Sequence, residues 1–506
     1  MNYSLKRYFE EACVTPIPEW FEHIQVVLVN PATGERSKPR MHQVTGLNHV
    51  FKSERSGVYD EQGTGKTLIS QAMLLWHVAN KNRVICLMPP VLIGQYRDSL
   101  FSTFPGVEKW VNLHAYQHDK ADRAKKQLQW SADTLPSVLM MTYQMFTKEW
   151  KLFANDFDVI IMDEAKLLSS GENKFCKAVE GFMATSEKAS LHMTGTPGNT
   201  DLRGLYGFIK FTSPHLYKSK LDFDNQHVVF KSYKVDVKMR TGAIRKINVS
   251  AVERFRELDK LYTNFYRNCR RVEKQEVLEL PEKNIIQFPF DLDFQHYSAY
   301  KQFVTQKLML FEDGSMIDGT NASALRNTAL RAIFDPSILG ITAVSSIFEA
   351  MDQIIESTDL EKTKVFIMAH YQNTVEVIAK YYEKYNPAVI YGKTSNKSEA
   401  EKNKFLNDSN CRMCVVNYLS GGVGLNLQSV SYTGIAAEPT PSPGDFDQGT
   451  DRLHRSGQKN AVNIYIMLPK GTLFVKLVQT MLRRKAETSG VVSKLQLEKE
   501  LLGEEQ

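Results

Sequence analysis

Asp60-Glu61-Gln62-Gly63-Thr64-Gly65-Lys66-Thr67 carries the residue types that hold a phosphate chain. The backbone of Gly63, Thr64 and Gly65 can wrap phosphate oxygens, Lys66 can reach the β and γ positions, and the Thr67 hydroxyl can bind Mg²⁺. A helix starting here adds its positive end to the anion site. Further along, the apolar run Ile160-Ile161-Met162 ends in Asp163-Glu164. Carboxylates at the C-terminal end of a buried strand project beside such a loop. Asp163 is expected to hold Mg²⁺, and Glu164 to orient and deprotonate the attacking water. Together these residues imply hydrolysis of ATP or a related nucleotide.

Other strings supply supporting groups. Thr194-Gly195-Thr196-Pro197 follows another apolar run, and its hydroxyls can sense the magnesium site. Gln43, in Arg40-Met41-His42-Gln43, has an amide suited to the edge of adenine. In the C-terminal half, Ser420-Gly421-Gly422-Val423-Gly424-Leu425-Asn426 forms a Gly-rich loop. It is followed by Gln448-Gly449-Thr450-Asp451-Arg452-Leu453-His454-Arg455-Ser456-Gly457-Gln458. On a helix Arg452 and Arg455 share a face. Beside a phosphate site they are expected to act as arginine fingers, each typically worth about 10³–10⁵ in turnover. Cys411 and Cys414 have metal-like spacing but no second pair to complete four ligands.

These groups need rigid strands to place them. Apolar runs at Val84–Met88, Val138–Thr142, Val159–Met162 and Leu191–Thr194 alternate with helical patterns. A second series comprises Val365–Ala369, Ala388–Tyr391, Met413–Asn417, Tyr432–Ala436 and Val462–Met467. Continuous apolar runs of this length predict parallel strands covered on both faces. The expected organisation is an extension over 1–38, an ATP-binding α/β lobe over 39–212 and a helical, basic connector over 213–350. A second α/β lobe follows over 351–485, and 486–506 is expected to be a helix or tail.

The 506 residues suffice for two or three domains, and 42% hydrophobic with 24% charged residues is ordinary for a globular chain. No apolar run reaches the roughly 18 residues of a membrane span, and Met1–Glu11 lacks the apolar region of a signal peptide. Six scattered cysteines fit a reducing compartment. The net charge is +6, yet Lys231 to Lys274 alone holds 13 Lys/Arg against 5 Asp/Glu. That stretch is either a solvated surface or a contact for nucleic-acid phosphates. Tyr262 to Arg267 mixes aromatics with charge, and helix packing competes there with a nucleic-acid contact.

The set resembles the helicase-like ATPases of superfamily 2, and within them the Swi/Snf-type branch. Pro39–Gln43 with Gly57–Thr67, Pro89–Ile93 with Gln95-Tyr96, Thr142-Tyr143 and Thr194–Pro197 are similar to that branch's first motifs. Arg270-Arg271 followed by Leu280-Pro281-Glu282-Lys283 resembles its paired arginines and Leu-Pro-x-Lys. Gly421–Asn426 and Asp451–Gln458 resemble its last two motifs. The resemblance implies an α/β fold of two RecA-like parallel-sheet lobes with helical insertions, using ATP and Mg²⁺ to track along DNA. It gives nucleotide roles to Gln43, Lys66, Thr67, Asp163, Glu164 and Gly424, and finger roles to Arg452 and Arg455. Coupling falls to Lys166, Thr194 and Thr196, and nucleic-acid contact to Thr142, Arg270, Arg271, Ser420 and Asn426. Two departures stand out: Lys166 replaces the family's His, and Pro441-Ser442-Pro443 replaces its Trp-Asn-Pro.

The expected partner is duplex or branched DNA, with single-stranded DNA as an alternative; no membrane partner is expected, and protein partners are not specified. The chain is little longer than the motor, and compact members of the branch resemble phage and bacterial enzymes that remodel branched DNA. Branch migration or fork remodelling is therefore the expected activity, in the cytoplasm or nucleoid of a bacterial or phage-infected cell, with a nucleus also compatible. Removal of proteins from DNA, and a nucleotide-gated clamp that does not translocate, are the rival expectations.

Overall fold

A computed structural model describes residues 3–29, 34–116, 137–197, 202–238, 244–306, 308–310, 316–318, 322–392, 397–418 and 426–492. The chain divides into two compact units, one built on Glu35–Val277 with the N-terminal segment through Val29, the other on Leu278–Lys485.

The first unit holds a seven-stranded parallel sheet. Its order is Cys269–Arg270, Arg55–Val58, Ala189–Met193, Val159–Met162, Val84–Leu87, Ser137–Met141 and Asn112–Tyr116. Its strands Val84–Leu87 and Val159–Met162 are apolar at every position because helices cover both faces. In Val84–Leu87, Ile85 and Leu87 enter the cluster around Phe146, Phe182 and Phe208, while Val84 and Cys86 enter the one around Phe9, Leu74 and Tyr96. The strands therefore end together at one edge, where a β strand's carboxyl end presents its loops.

The N-terminal segment completes the second of these clusters. The helix Leu5–Glu11 is capped by the Ser4 hydroxyl, which accepts from Arg7 N. Phe9 stacks on Trp76 with ring centres 5.2 Å apart, and Tyr8 Oη donates to the carbonyl of Gln43 at 3.1 Å. Trp76 belongs to the helix Lys66–Ala79, so this segment braces the helix that leaves the phosphate loop.

The second unit holds a six-stranded parallel sheet, ordered Lys283–Phe290, Val462–Pro469, Thr433–Ala436, Val365–Ala369, Met413–Asn417 and Ala388–Ile390. Phe366 and Met368 face one core and Val365, Ile367 and Ala369 the other, the same two-sided burial. Two parallel α/β lobes thus match the expected fold class.

The connector expected over 213–350 is not one helical body. Its first part returns to the first sheet through Cys269–Arg270, and its later part opens the second sheet with Lys283–Phe290. Between Val228 and Phe255 it forms an antiparallel hairpin instead of helices. Alternating polar and apolar residues in these segments satisfy edge or two-stranded pairing, which helical periodicity conceals. No helix among the described residues is long and apolar enough to cross a membrane.

The helix Leu205–Thr212 lies against the turn that continues from Asp163-Glu164, and Gly207 makes that approach possible. A Cβ added there would meet the Leu168 carbonyl oxygen at 1.7 Å. Backbone cannot yield as a side chain can, so Gly207→Ala is expected to destabilise the first lobe by about 3 kcal/mol. A lowered urea midpoint at unchanged slope is the measurement.

Candidate active site

The phosphate loop begins where the strand Arg55–Val58 ends, and closes at Gly65, whose φ of +90° starts the helix Lys66–Ala79. Only glycine takes that conformation without strain. It is also crowded, since a Cβ at Gly65 would lie 2.2 Å from Gln43 Nε2. Neighbouring side chains grip the loop through its carbonyls. His42 Nε2 lies 2.8 Å from the Thr64 oxygen, and Gln43 Nε2 donates to the Gly65 oxygen at 3.3 Å. Gln43 Oε1 accepts from Arg40 N at 2.8 Å, so the amide expected at the adenine edge here fastens the loop to its own helix Met41–Phe51.

Asp60 and Glu61 place two negative charges at the entrance of the Gly63–Thr67 loop. Arg270 Nε meets Asp60 at 3.2 Å and Arg271 meets Glu61 at 3.0 Å. Arg271 also donates to the carbonyls of Tyr59 and Gly195, at 3.0 and 3.2 Å. Both guanidiniums are largely buried, 12% and 13% exposed. The assignment of Arg270 and Arg271 to nucleic acid is therefore corrected: they neutralise the loop's approach and tie it to the Thr194–Pro197 turn. Sequence reading missed Asp60 and Glu61 as their partners because the pairs span about two hundred residues.

Lys66 Nζ donates to the carbonyls of Asp60 and Glu61 at 2.6 and 3.0 Å. Burial draws its pKa down, against Glu164, Asp60 and Asp163, which favour the ammonium. Asp163 follows the strand Val159–Met162, held by Asp163 N to the Leu87 oxygen at 2.8 Å and by Tyr143 Oη to the Asp163 oxygen at 2.5 Å. Burial, and then the neighbouring Glu164 charge, push the Asp163 pKa up to about 7. Glu164 sits at φ +56°, a left-handed conformation costing a non-glycine residue about 1 kcal/mol or more. That turn is locked by Ala165 N to the Met193 oxygen at 2.8 Å. Glu164 Oε2 is buried with no hydrogen-bond partner among the described residues, as is Thr196 Oγ1. The Thr194 hydroxyl is fully buried and accepts from Thr196 N at 3.2 Å. A Cβ at Gly195 would stand 3.6 Å from Lys66 Nζ, so this turn packs directly on the loop. Lys166 opens the short helix Lys166–Ser170, its N–H donating to the Glu164 carbonyl at 2.7 Å.

Thr142 is corrected as well. It is 2% exposed, and its hydroxyl caps the helix Tyr143–Glu149 by accepting from Met145 N at 3.3 Å. Lys148, Lys174 and Lys177, with Gln144 and Trp150, line a cavity beside that helix.

In the second lobe the helix Pro443–Thr450 stops before either arginine, with Asp451 as its C-cap. The shared helical face expected for Arg452 and Arg455 does not form. The turn through Gly457, at φ +99°, buries Arg452 to 3% exposure, while Arg455 is half-buried and hydrogen-bonded to Asn426. Gln458 explains the motif's last position: its Nε2 donates to the carbonyls of Gln428, Ser431 and Leu453, and its Oε1 accepts from Lys459 and Asn460. The Leu-Pro-x-Lys string serves the same turn. Lys283 Nζ pairs with Asp451 at 2.9 Å, and His454 Nε2 lies 2.8 Å from the Pro281 oxygen. Ser442, in the departing Pro-Ser-Pro, caps its helix by accepting from Asp445 N at 3.1 Å. Ser420 and Gly424 lie outside the described residues.

A model described as the SNF2-related domain matches residues 42–336, and one described as the helicase conserved C-terminal domain matches 346–457. The chain belongs to the SNF2-related family. Among its relatives are a mouse chromodomain-helicase-DNA-binding protein 1-like, 24% identical over 90% of this chain and 49% of its own length, and the human DNA annealing helicase and endonuclease ZRANB3, 24% identical over 90% and 40%. The chain thus spans about half the length of these curated relatives. The Sulfolobus solfataricus SWI2/SNF2 ATPase core in complex with dsDNA is 20% identical, covering 92% of this chain and 96% of that one, with a TM-score of 0.39.

One residue of this SNF2-related chain escaped sequence reading. Glu438, fully buried after the strand Thr433–Ala436, accepts from His370 N and Tyr371 N at 2.9 and 2.8 Å. A lone Glu before a proline gave no signal of this. Burial raises its pKa to about 8, against those hydrogen bonds. The folded state therefore keeps a proton that the unfolded chain releases near pH 4.3. Stability present below that pH falls as pH rises through about 8. Glu438→Gln removes the loss, so the melting temperature of the variant relative to the parent should rise by about 3 °C or more between pH 5 and pH 9. Arg271→Ala strips three acceptors of their donor and is expected to destabilise by about 2 kcal/mol, a buried-pair loss discounted for partial exposure of Glu61. Arg271→Lys should recover little of it, because one ammonium cannot span the fork's contacts; urea midpoints of the three proteins compare them.

Proposed function

We propose that the chain hydrolyses ATP at Gly63–Thr67, Asp163 and Glu164, and uses the cycle to translocate on DNA. The observation that carries the reading is the convergence of Lys66, Asp163 and Glu164, with one oxygen of Glu164 buried and without a partner among the described residues. A hard-oxygen set of this kind fits a magnesium–nucleotide complex. Thr67 and Asp163 would hold the Mg²⁺, which offsets phosphate charge when bound. Glu164 then orients the attacking water and takes its proton, its unpaired oxygen being the acceptor. Lys66 exchanges its two carbonyl partners for phosphate oxygens. Arg452 and Arg455 inherit the finger role from the family, and Thr194 to Thr196 link the carboxylates to the loop.

DNA as the track is supported by membership of a family whose relatives are named for action on it. The lysines at 148, 174 and 177 suit a backbone that is followed without being read. Within that reading we favour branched DNA, with branch migration or fork remodelling as the work performed.

Steady-state ATP hydrolysis without nucleic acid, then with single-stranded, duplex, forked and four-way DNA and with RNA, tests this. Stimulation greatest on forked or four-way DNA is the expected outcome; stimulation by RNA alone removes the DNA track. Glu164→Gln should bind ATP normally and turn it over about 10²–10⁴-fold more slowly. Turnover at the parental rate would show that another group accepts the proton. Removal of a triplex third strand only with hydrolysable ATP separates a motor from a clamp.

A further inference from the structure

The hairpin between Val228 and Phe255 takes no part in the nucleotide site. Val228–Lys238 and Ile244–Phe255 pair antiparallel with each other, and neither joins another sheet among the described residues. At about 3.4 Å per residue such a ribbon is about 35 Å long. Its root is anchored: Val252 and Phe255 pack on the first lobe's core, and Arg256 N donates to the His227 oxygen at 2.9 Å. Beyond the root Lys231, Lys234, Ser250 and Arg254 are exposed.

A two-stranded ribbon is at best marginal alone, and lysines on its edges could serve only to prevent strand addition. The charge exceeds that need. The two strands carry six Lys/Arg against two Asp/Glu. The pairing register sets Lys231 and Arg254 on one face and Lys234 on the other, with Lys231 3.9 Å from Glu253. Cations on both faces suit a partner that offers anions on two sides. A duplex groove does so with its two phosphate strands, and the major groove admits a two-stranded ribbon. An acidic protein patch offers one side only. Arg270 and Arg271 are already engaged with Asp60 and Glu61, which removes two of the basic stretch's cations from contact with phosphate.

We propose that the paired strands Val228–Lys238 and Ile244–Phe255 are a docking element for the backbone of duplex nucleic acid. It rests on the DNA reading above, and it also links that binding to the nucleotide. From the ribbon the chain runs through the helix Leu258–Tyr266 and the strand Cys269–Arg270 directly to the arginines that hold the phosphate loop. Phe265 of that helix stacks on Tyr59 with ring centres 5.2 Å apart, one residue before Asp60.

The test compares the parent with K231Q/K234Q/R254Q for affinity to a blunt duplex over a range of salt. Every phosphate that no longer meets a cation lowers the slope of log affinity against log salt by about 0.9. A slope reduced by about 2–3, with K231R/K234R/R254K keeping the parental slope, supports the ribbon. A parent that binds duplex while the glutamine variant keeps both affinity and slope overturns the ribbon alone. A parent that binds no duplex at any salt overturns the DNA reading and the ribbon with it. Should the glutamine variant melt early, Ser250→Cys in a Cys13→Ser background, carrying a photoreactive label, decides the matter. Cross-linking to duplex supports the ribbon, and its absence while the protein binds duplex overturns it.

Discussion

A loop proposed to bind phosphate but entered through Asp60 and Glu61 works only if those charges are cancelled. Arg270 and Arg271 cancel them, and the geometry leaves little freedom in how. The two-residue strand Cys269–Arg270 must lie beside Arg55–Val58, with Tyr59 N bonded to the Arg270 oxygen and Glu61 N to the Val272 oxygen. The seventh strand of the first sheet is in this sense an electrostatic requirement. It also explains why Arg271 reaches the Gly195 carbonyl, since one fork can then fix the relative position of two catalytic turns.

Beside this neutralised entrance sits a pair of carboxylates, one oxygen of which, Glu164 Oε2, has no partner among the described residues. Asp163 and Glu164 are adjacent, partly desolvated and mutually repulsive, which raises the Asp163 pKa, and Glu164 occupies a backbone region that disfavours it. Such strain persists where surrounding structure over-determines it. Here that structure is the bond from Ala165 to Met193, the Tyr143 hydroxyl and the close approach at Gly207. A bound cation and water would relieve both the repulsion and the orphaned oxygen, so the site is built for occupants with hard, positive or polar character.

The central strands were legible in the sequence because each has a local signature, and the strings proposed to hold nucleotide are equally local. Val84–Leu87 and the stretch 413–416 are unbroken apolar runs, and Gly65-Lys66-Thr67 and Asp163-Glu164 are short strings. The edge strands Asn112–Tyr116 and Lys283–Phe290 are half-exposed, so their mixed composition hid them. The hairpin was hidden for the same reason, its charge reading as a solvated surface or a phosphate contact. What sequence could not reveal was which cation belongs to which anion. Arg270 and Arg271 looked like phosphate ligands until partners far away in the chain were found, and Arg452 and Arg455 looked like neighbours on a helix that in fact ends at Thr450. Thr142 presents the same lesson on a smaller scale, a hydroxyl consumed by its own helix.

The distance between Glu61 and Arg271 along the chain also governs when the first lobe can be finished. The two are 210 residues apart, and the strand that carries the arginines is the last of its sheet to be made. At ribosomal rates of about 5–20 residues per second, about 10–40 s separate synthesis of the loop from synthesis of its counter-charges. During that interval the nascent lobe exposes an unpaired strand edge at Arg55–Val58 and two uncompensated carboxylates. Pairing of such sequence separation is slow to form. The phosphate loop is among the earliest catalytic pieces to leave the ribosome and among the last to acquire its final shape, which makes the nascent chain, before the native protein, the state most exposed to misassembly.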